Sequence, residues 1–245
     1  YKVIDGEVVL DHLNMQVEEG SIYGLMGPNG AGKTSTFNLI TGVYTQTSGS
    51  ILYKGQDLKK YKPYQITNIG IARTFQNIRL FKQLTVLENI ILAMNHKRKI
   101  NFFASLLPFG AGKKELNMVT EQAIQYLEYA NLVEFKDLKA ENLSYGKQRE
   151  LEICRAIATG ADLILLDEPA AGLNPSETTQ LMEIIRNIKN DLNKSIFLIE
   201  HDMKLVMGIS DRIVVLDYGE KIAEGAPTDI RNNPQVIKAY LGKGE

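Results

Sequence analysis

The chain has little cysteine, almost no net charge and no long apolar run. Its one thiol, Cys154, cannot form an internal disulfide and falls in an apolar helical pattern, so a reducing compartment is the simplest expectation. With 28 basic against 29 acidic residues the formal net charge is −1, so the basic excess common in nucleic-acid binders is missing. No segment approaches the ~20 apolar residues that span a bilayer. The longest candidate, 102–109, is far too short, and no secretory signal is visible. If the protein works at a membrane, another chain must cross it. The sequence opens on Tyr1 rather than Met, which leaves room for residues before it. At 245 residues it can bury one large α/β core, or a core with an inserted subdomain.

What is present begins with Gly27-Pro28-Asn29-Gly30-Ala31-Gly32-Lys33-Thr34, a full match to the phosphate-cradling pattern G-x-x-x-x-G-K-[ST]. The apolar run 22–26 before it reads as a buried strand, and Lys33 to Thr41 after it as a helix ended by Gly42. That context makes the motif a nucleoside triphosphate site. Its glycines let backbone N–H groups close around a phosphate, and the helix N-terminus adds fixed positive charge. Lys33 would reach the β/γ-phosphates, Thr34 would offer its hydroxyl to Mg²⁺, and Ser35 completes the ATP-contacting set.

Strands are expected over 8–17, 51–53 and 69–75. From about 76 to 160 the pattern turns helical: Leu116, Val119, Ala123, Tyr126, Leu127 and Ala130 recur at helical spacing, as do Leu151, Cys154, Ile157 and Ala158. Residues 95–114 fit neither period and are expected as a surface loop or short helices, with Lys97, Arg98, Lys99, Lys113 and Lys114 on a solvated face. Beyond Gly160, the continuous apolar run 163–166 predicts a strand buried on both faces. An amphipathic helix follows from Pro175 to Asn190, then a strand over 195–199. A hairpin turns at Asp217-Tyr218-Gly219, and helices close the chain near Thr228 and over 234–241. The fold class is therefore α/β. A P-loop core over 1–76 and 161–245 carries an N-terminal antiparallel β region and an inserted α-helical subdomain over 77–160.

Asp167 and Glu168 follow the buried strand directly, at the carboxyl edge where α/β sheets place ligands. Asp167 would hold Mg²⁺ through its water shell, together with Thr34. Glu168, one residue on, is placed as general base for an attacking water.

Four further motifs make the resemblance specific. Leu143-Ser144-Tyr145-Gly146-Lys147-Gln148-Arg149 resembles the signature motif of ABC transporter ATPases, usually written LSGGQ. Gln76 matches the Q-loop, 171–174 resemble the D-loop, and His201 matches the H-loop histidine. With the P-loop, they occur in the family's order and span essentially the whole chain. The resemblance implies two ATPase subunits packed head to tail, each ATP lying between one P-loop and the partner's signature. Ser144, Tyr145, Gly146 and Lys147 would then meet the nucleotide in trans, Gln76 would touch Mg²⁺ and the attacking water, and His201 would hold the γ-phosphate and orient Glu168.

Three features depart from the family pattern or leave it open. Tyr145 replaces the first signature glycine and Lys147 the usual glutamine. The adenine-stacking aromatic falls at Ile4 or Asp5 in a gapless comparison, or at Tyr1 if the loop is longer. Longer segments, 70–81, 167–178, 199–219 and 230–242, resemble the ATPases of branched-chain amino-acid importers. Urea or amide importers and lipopolysaccharide exporters use similar ATPases. The resemblance implies a peripheral protein on the cytoplasmic side of the inner membrane. Its expected partners are a second ABC ATPase (the same or a different chain), transmembrane permeases docking near Arg79, Leu80 and Phe81, and indirectly a substrate-binding protein. A soluble ABC ATPase acting on nucleic acid or ribosomes is the alternative from another class. One cassette, one cysteine and no extended heptads speak against it, and no nucleic-acid partner is expected.

Overall fold

Strand β3 (Ile22–Met26) is buried along its whole length, and its neighbours explain why. The computed structural model, which describes residues 1–94 and 111–241, sets it inside a six-stranded sheet. The other strands are β6 (Ile71–Arg73), β7 (Leu163–Asp167), β8 (Ser195–Ile199), β9 (Arg212–Asp217) and β10 (Glu220–Gly225), in the order β10-β9-β3-β8-β7-β6. β10 pairs antiparallel with β9, and every other pairing is parallel. Successive side chains of a strand point to opposite faces. Tyr23, Leu25, Phe197, Ile199, Val214 and Leu216 accordingly enter one core, and Ile22, Met26, Ile196, Leu198, Ile213 and Val215 the other. Each fully buried side chain of this kind contributes about 1.5–3 kcal/mol.

The first core lies beneath α1 (Lys33–Ile40) and two small antiparallel hairpins, β1 (Lys2–Ile4) with β2 (Glu7–Leu10) and β4 (Leu52–Tyr53) with β5 (Gln56–Asp57). Thr41 caps α1 and Gly42 follows at φ +71°, the C′ arrangement its sequence announces. The second core joins the sheet to α3 (Val86–Met94), α4 (Ala111–Glu128), α5 (Tyr145–Ala158), α6 (Pro175–Leu192) and α7 (Met203–Ile209). α6 is written clearly in the sequence. Asn174 and Glu177 form a capping box, Pro175 opens the helix, and Leu181, Ile184, Ile185 and Ile188 make its buried stripe. Short helices α2 (Pro63–Ile66), α8 (Pro227–Arg231) and α9 (Pro234–Leu241) complete the order.

Three expectations need correction. The strand expected over 8–17 ends at Leu10. Beyond it Leu13, Met15 and Val17 still pack on the core, but the segment pairs with no strand. The strand expected over 69–75 is only Ile71–Arg73. Of the loop expected over 95–114, residues 95–110, with Lys97, Arg98 and Lys99, lie outside the described residues. Residues 111–114 open the long helix α4 instead.

Candidate functional site at the carboxyl edge of the sheet

The turn between β3 and α1 is built from backbone that only glycine permits. Gly27 has φ +148°, and a Cβ there would stand 2.2 Å from the Leu216 carbonyl oxygen. Gly32 has φ +99°, with the Leu10 side chain 2.7 Å and the Val9 carbonyl 2.9 Å from any added Cβ. The loop is thus held against β9 and β2 while its N–H groups open α1. Lys33 is buried and folds back over the turn, donating from Nζ to the carbonyls of Gly27 (2.7 Å) and Pro28 (3.0 Å). Asn29, Gly30 and Thr34 are exposed, and Ser35 is half-buried.

Asp167 ends β7 almost fully covered, and the structure gives it a partner that sequence reasoning missed. Arg73, at the end of neighbouring β6, donates to Asp167 Oδ2 at 2.6 Å. Both side chains are only 8% exposed, which makes this a buried ion pair rather than a surface one. The same guanidinium donates to Asn38 Oδ1 (2.8 Å) and Thr41 Oγ1 (3.3 Å) at the P-loop helix and lies within 5.5 Å of the ring centroids of Phe37 and Phe75. Asp167, the helix α1 and the strand leading to Gln76 therefore share one cation. Removing one member of such a pair leaves an uncompensated buried charge, at a cost of about 3–5 kcal/mol.

Glu168 takes φ +47°, a left-handed conformation costly for a residue with a side chain. Its N–H donates to the Ile199 carbonyl at 2.9 Å. The strained turn aims the carboxylate at Gln76, whose Nε2 donates to Glu168 Oε2 at 3.1 Å. Two expected catalytic residues, 92 positions apart, thus meet. His201 is not joined to them: its side chain is 63% exposed, and its ring lies 3.8 Å from Glu200 rather than on Glu168. Glu200, which the sequence reading passed over, is buried and organises the turn. It accepts from the N–H groups of Ala170 (2.8 Å) and His201 (3.1 Å), while burial raises its pKa above the ordinary carboxylate value.

The signature stretch opens α5, with Ser144 as N-cap accepting from the Lys147 N–H at 3.4 Å. Ser144 and Tyr145 are exposed, whereas Gly146 is buried with the Glu177 side chain closing over it. Lys147 is paired within the chain, donating to buried Glu150 at 2.9 Å. At the N-terminus, Tyr1 stacks obliquely on His12, ring centroids 5.4 Å apart, while Ile4 ends β1 and Asp5 lies in the following tight turn. Arg73, Glu200 and their roles carry no local motif. A cation closing one apolar strand and an acid following another are the only signals that could have found them.

Comparison with known proteins fits this geometry. The sequence model described as "ABC transporter" matches residues 10–171. A second, described as "Branched-chain amino acid ATP-binding cassette transporter", matches 220–245. The high-affinity branched-chain amino acid transport ATP-binding protein LivG of Escherichia coli (strain K12) is 46% identical, over 97% of this chain and 93% of that protein. The lipopolysaccharide export system ATP-binding protein LptB of Haemophilus influenzae is 30% identical, over 96% of this chain and 91% of that protein. Among solved structures, the ADP conformation of MJ1267, an ATP-binding cassette of an ABC transporter, superposes with a TM-score of 0.83 at 29% identity, covering 99% of this chain and 96% of that one. The dimeric, post-hydrolysis form of the cassette MJ0796 bound to ADP and Pi gives 0.73 at 25% identity, covering 93% and 94%. By these matches over nearly its whole length, and with a glycine-built turn, buried Asp167 and a Gln76–Glu168 contact on one sheet edge, this chain belongs to the ABC transporter family of ATP-binding cassettes.

Proposed function

We propose that the chain is the ATP-hydrolysing, energy-coupling subunit of an importer for branched-chain amino acids. The observation that carries this reading is the 46% identity to LivG over 97% of the chain, against 30% to LptB. The separate match over 220–245 supports the same substrate class. Among the described residues no helix is long and apolar enough to cross a membrane, so transmembrane permeases would carry the substrate. The chain would sit on their cytoplasmic side, near Arg79, Leu80 and the half-exposed Phe81, with a substrate-binding protein acting indirectly. The nucleotide-binding core would be 1–76 with 161–245, and the helical subdomain 77–160.

Within one subunit, the backbone of 27–32 would cradle the phosphates of ATP. Lys33 would exchange its bonds to the loop carbonyls for the β/γ-phosphates, with Ser35 beside it and Tyr1 against the adenine. Thr34 and Asp167 suit a magnesium ion: they offer a hydroxyl and a carboxylate oxygen, hard donors of the type that ion prefers. Among the described residues no cluster of three or more acidic, His or Cys side chains forms a cage. A magnesium ion of this kind would arrive on the nucleotide and keep several of its waters. When bound it would neutralise charge developing on the phosphates. Glu168 would take the proton of the attacking water, with Gln76 orienting both. His201 would turn from its exposed position onto the γ-phosphate when a second subunit brings Ser144, Tyr145, Gly146 and Lys147 to the site.

The test is Glu168→Gln. ATP affinity should stay within about twofold, while phosphate release falls about 10²–10⁴-fold, the typical contribution of a general base. Near-normal turnover would refute the assignment. Expression of the chain in cells lacking their LivG-type subunit should restore labelled leucine uptake. Restored urea uptake without leucine uptake would contradict the substrate class.

A further inference from the structure

Tyr145, which replaces the first signature glycine, has a contact set that no glycine could supply. Its hydroxyl donates to the Ala171 carbonyl in the D-loop at 3.2 Å and accepts from Arg149 at 3.1 Å. Its ring lies over Gly172, where a Cβ would stand 3.1 Å from Tyr145 Cε1. Arg149 sits one helical turn further along α5 and is 1% exposed. Beyond Tyr145, its guanidinium donates to the Phe75 carbonyl (2.8 Å), to the Gln76 carbonyl and to Glu152 Oε2 (3.1 Å). Glu152 in turn accepts from the Arg79 N–H at 3.0 Å. The first two turns of α5 therefore grip the Q-loop backbone from both sides of Gln76 and hold the D-loop through a phenol.

We propose that Tyr145 and Arg149 are positioning residues. They tie this chain's own Q-loop and D-loop to the same helix tip that faces the partner's nucleotide. The inference rests on the head-to-tail ATPase reading above. A helical turn moves as a unit, so a pull on Ser144 at the tip reaches Arg149 through 1.5 Å-per-residue rigid backbone. Arg149 then shifts the carbonyl of Gln76, whose side chain already touches Glu168. Tyr145 carries the same displacement to 171–172. The warrant is a contiguous set of hydrogen bonds between three motifs, not mere proximity.

Tyr145→Phe removes the relay but keeps the ring over Gly172. Arg149 keeps its carbonyl partners, so the fold and the monomer's affinity for a fluorescent ATP analogue should be unchanged. Wild-type hydrolysis should show a Hill coefficient for MgATP above one. In Tyr145→Phe that coefficient should fall toward one and kcat about fivefold or more, the low end of measured coupling between sites. A purely structural role would lower analogue affinity and leave the Hill coefficient alone. Wild-type cooperativity and kcat in the variant, or a Hill coefficient of one in the wild type, would overturn the proposal.

Amide hydrogen exchange in the nucleotide-free protein separates this proposal from the functional reading, because it needs no turnover. Exchange over 170–173 should quicken in Tyr145→Phe, and over 75–79 in Arg149→Lys. Unchanged exchange in both segments would overturn the positioning role even if the wild type hydrolyses ATP. Quickened exchange in a protein that hydrolyses nothing would instead sink the ATPase reading.

Discussion

Strand β7 is flanked at both ends by an aspartate held by cations, and the two ends behave as different materials. At its amino end Asp162 binds Lys54 (2.7 Å) and Lys194 (3.1 Å) with its side chain 45% exposed. At its carboxyl end Asp167 binds Arg73 at nearly the same distance, 2.6 Å, with both side chains 8% exposed. Distance does not separate them; burial does. In water the first pair is screened and contributes little. In the protein the second is strong, costly to break, and anchored to the P-loop helix and the strand before Gln76. The parallel sheet puts the second pair on the edge where α/β sheets place ligands, so one strand carries a solvated fastening at one end and a buried one at the other.

That contrast can be broken in order of expected effect. Arg73→Met should lower unfolding free energy by about 3–5 kcal/mol, read from urea midpoints, because Asp167 is left buried without its cation. Adding Asp167→Asn should recover part of the loss, since no orphan charge remains. A single variant as stable as wild type would mean the pair is not buried in solution. Asn174→Ala, at the rim between the D-loop and α6, should cost about 1 kcal/mol through loss of the capping box, with Glu177 left to cap alone.

The amino end should matter least. Asp162→Asn should change stability by less than about 1 kcal/mol, because the group is so exposed. Lys54 above all, then Lys194, holds the Asp162 carboxyl below its ordinary value of 3.8. A lowered folded value means the contribution is present above that pH and fades as acid protonates the folded protein. Urea midpoints of wild type and variant should therefore converge below about pH 4. A larger effect at pH 7 than for Arg73→Met would reverse the comparison.

Much of this was legible in the sequence, for a physical reason. The glycine-built turn over 27–34 and the Asp167-Glu168 pair are short segments read from adjacent residues, and β3, β7 and β8 are continuous apolar runs because both their faces are covered. His201, expected beside Glu168, stands exposed near Glu200 instead. What escaped depends on partners far apart. Arg73 and Asp167 are separated by 94 positions, and Arg149 meets Phe75 across 74. The stretch after Leu10 misled in another way. Leu13, Met15 and Val17 alternate like a strand and are partly buried like one, yet no strand pairs with the segment, and period alone cannot register that.

A glycine cradle that forms half of a site completed by a second subunit's α5 should draw two subunits together when MgATP binds. The direct measurement is the mass of the Glu168→Gln protein in solution, by light scattering during gel filtration, with and without MgATP. The expected result is a monomer without nucleotide and a dimer with MgATP, lost again when Ser144→Arg blocks the helix tip. A protein that binds MgATP at normal affinity and stays monomeric at saturation would contradict it.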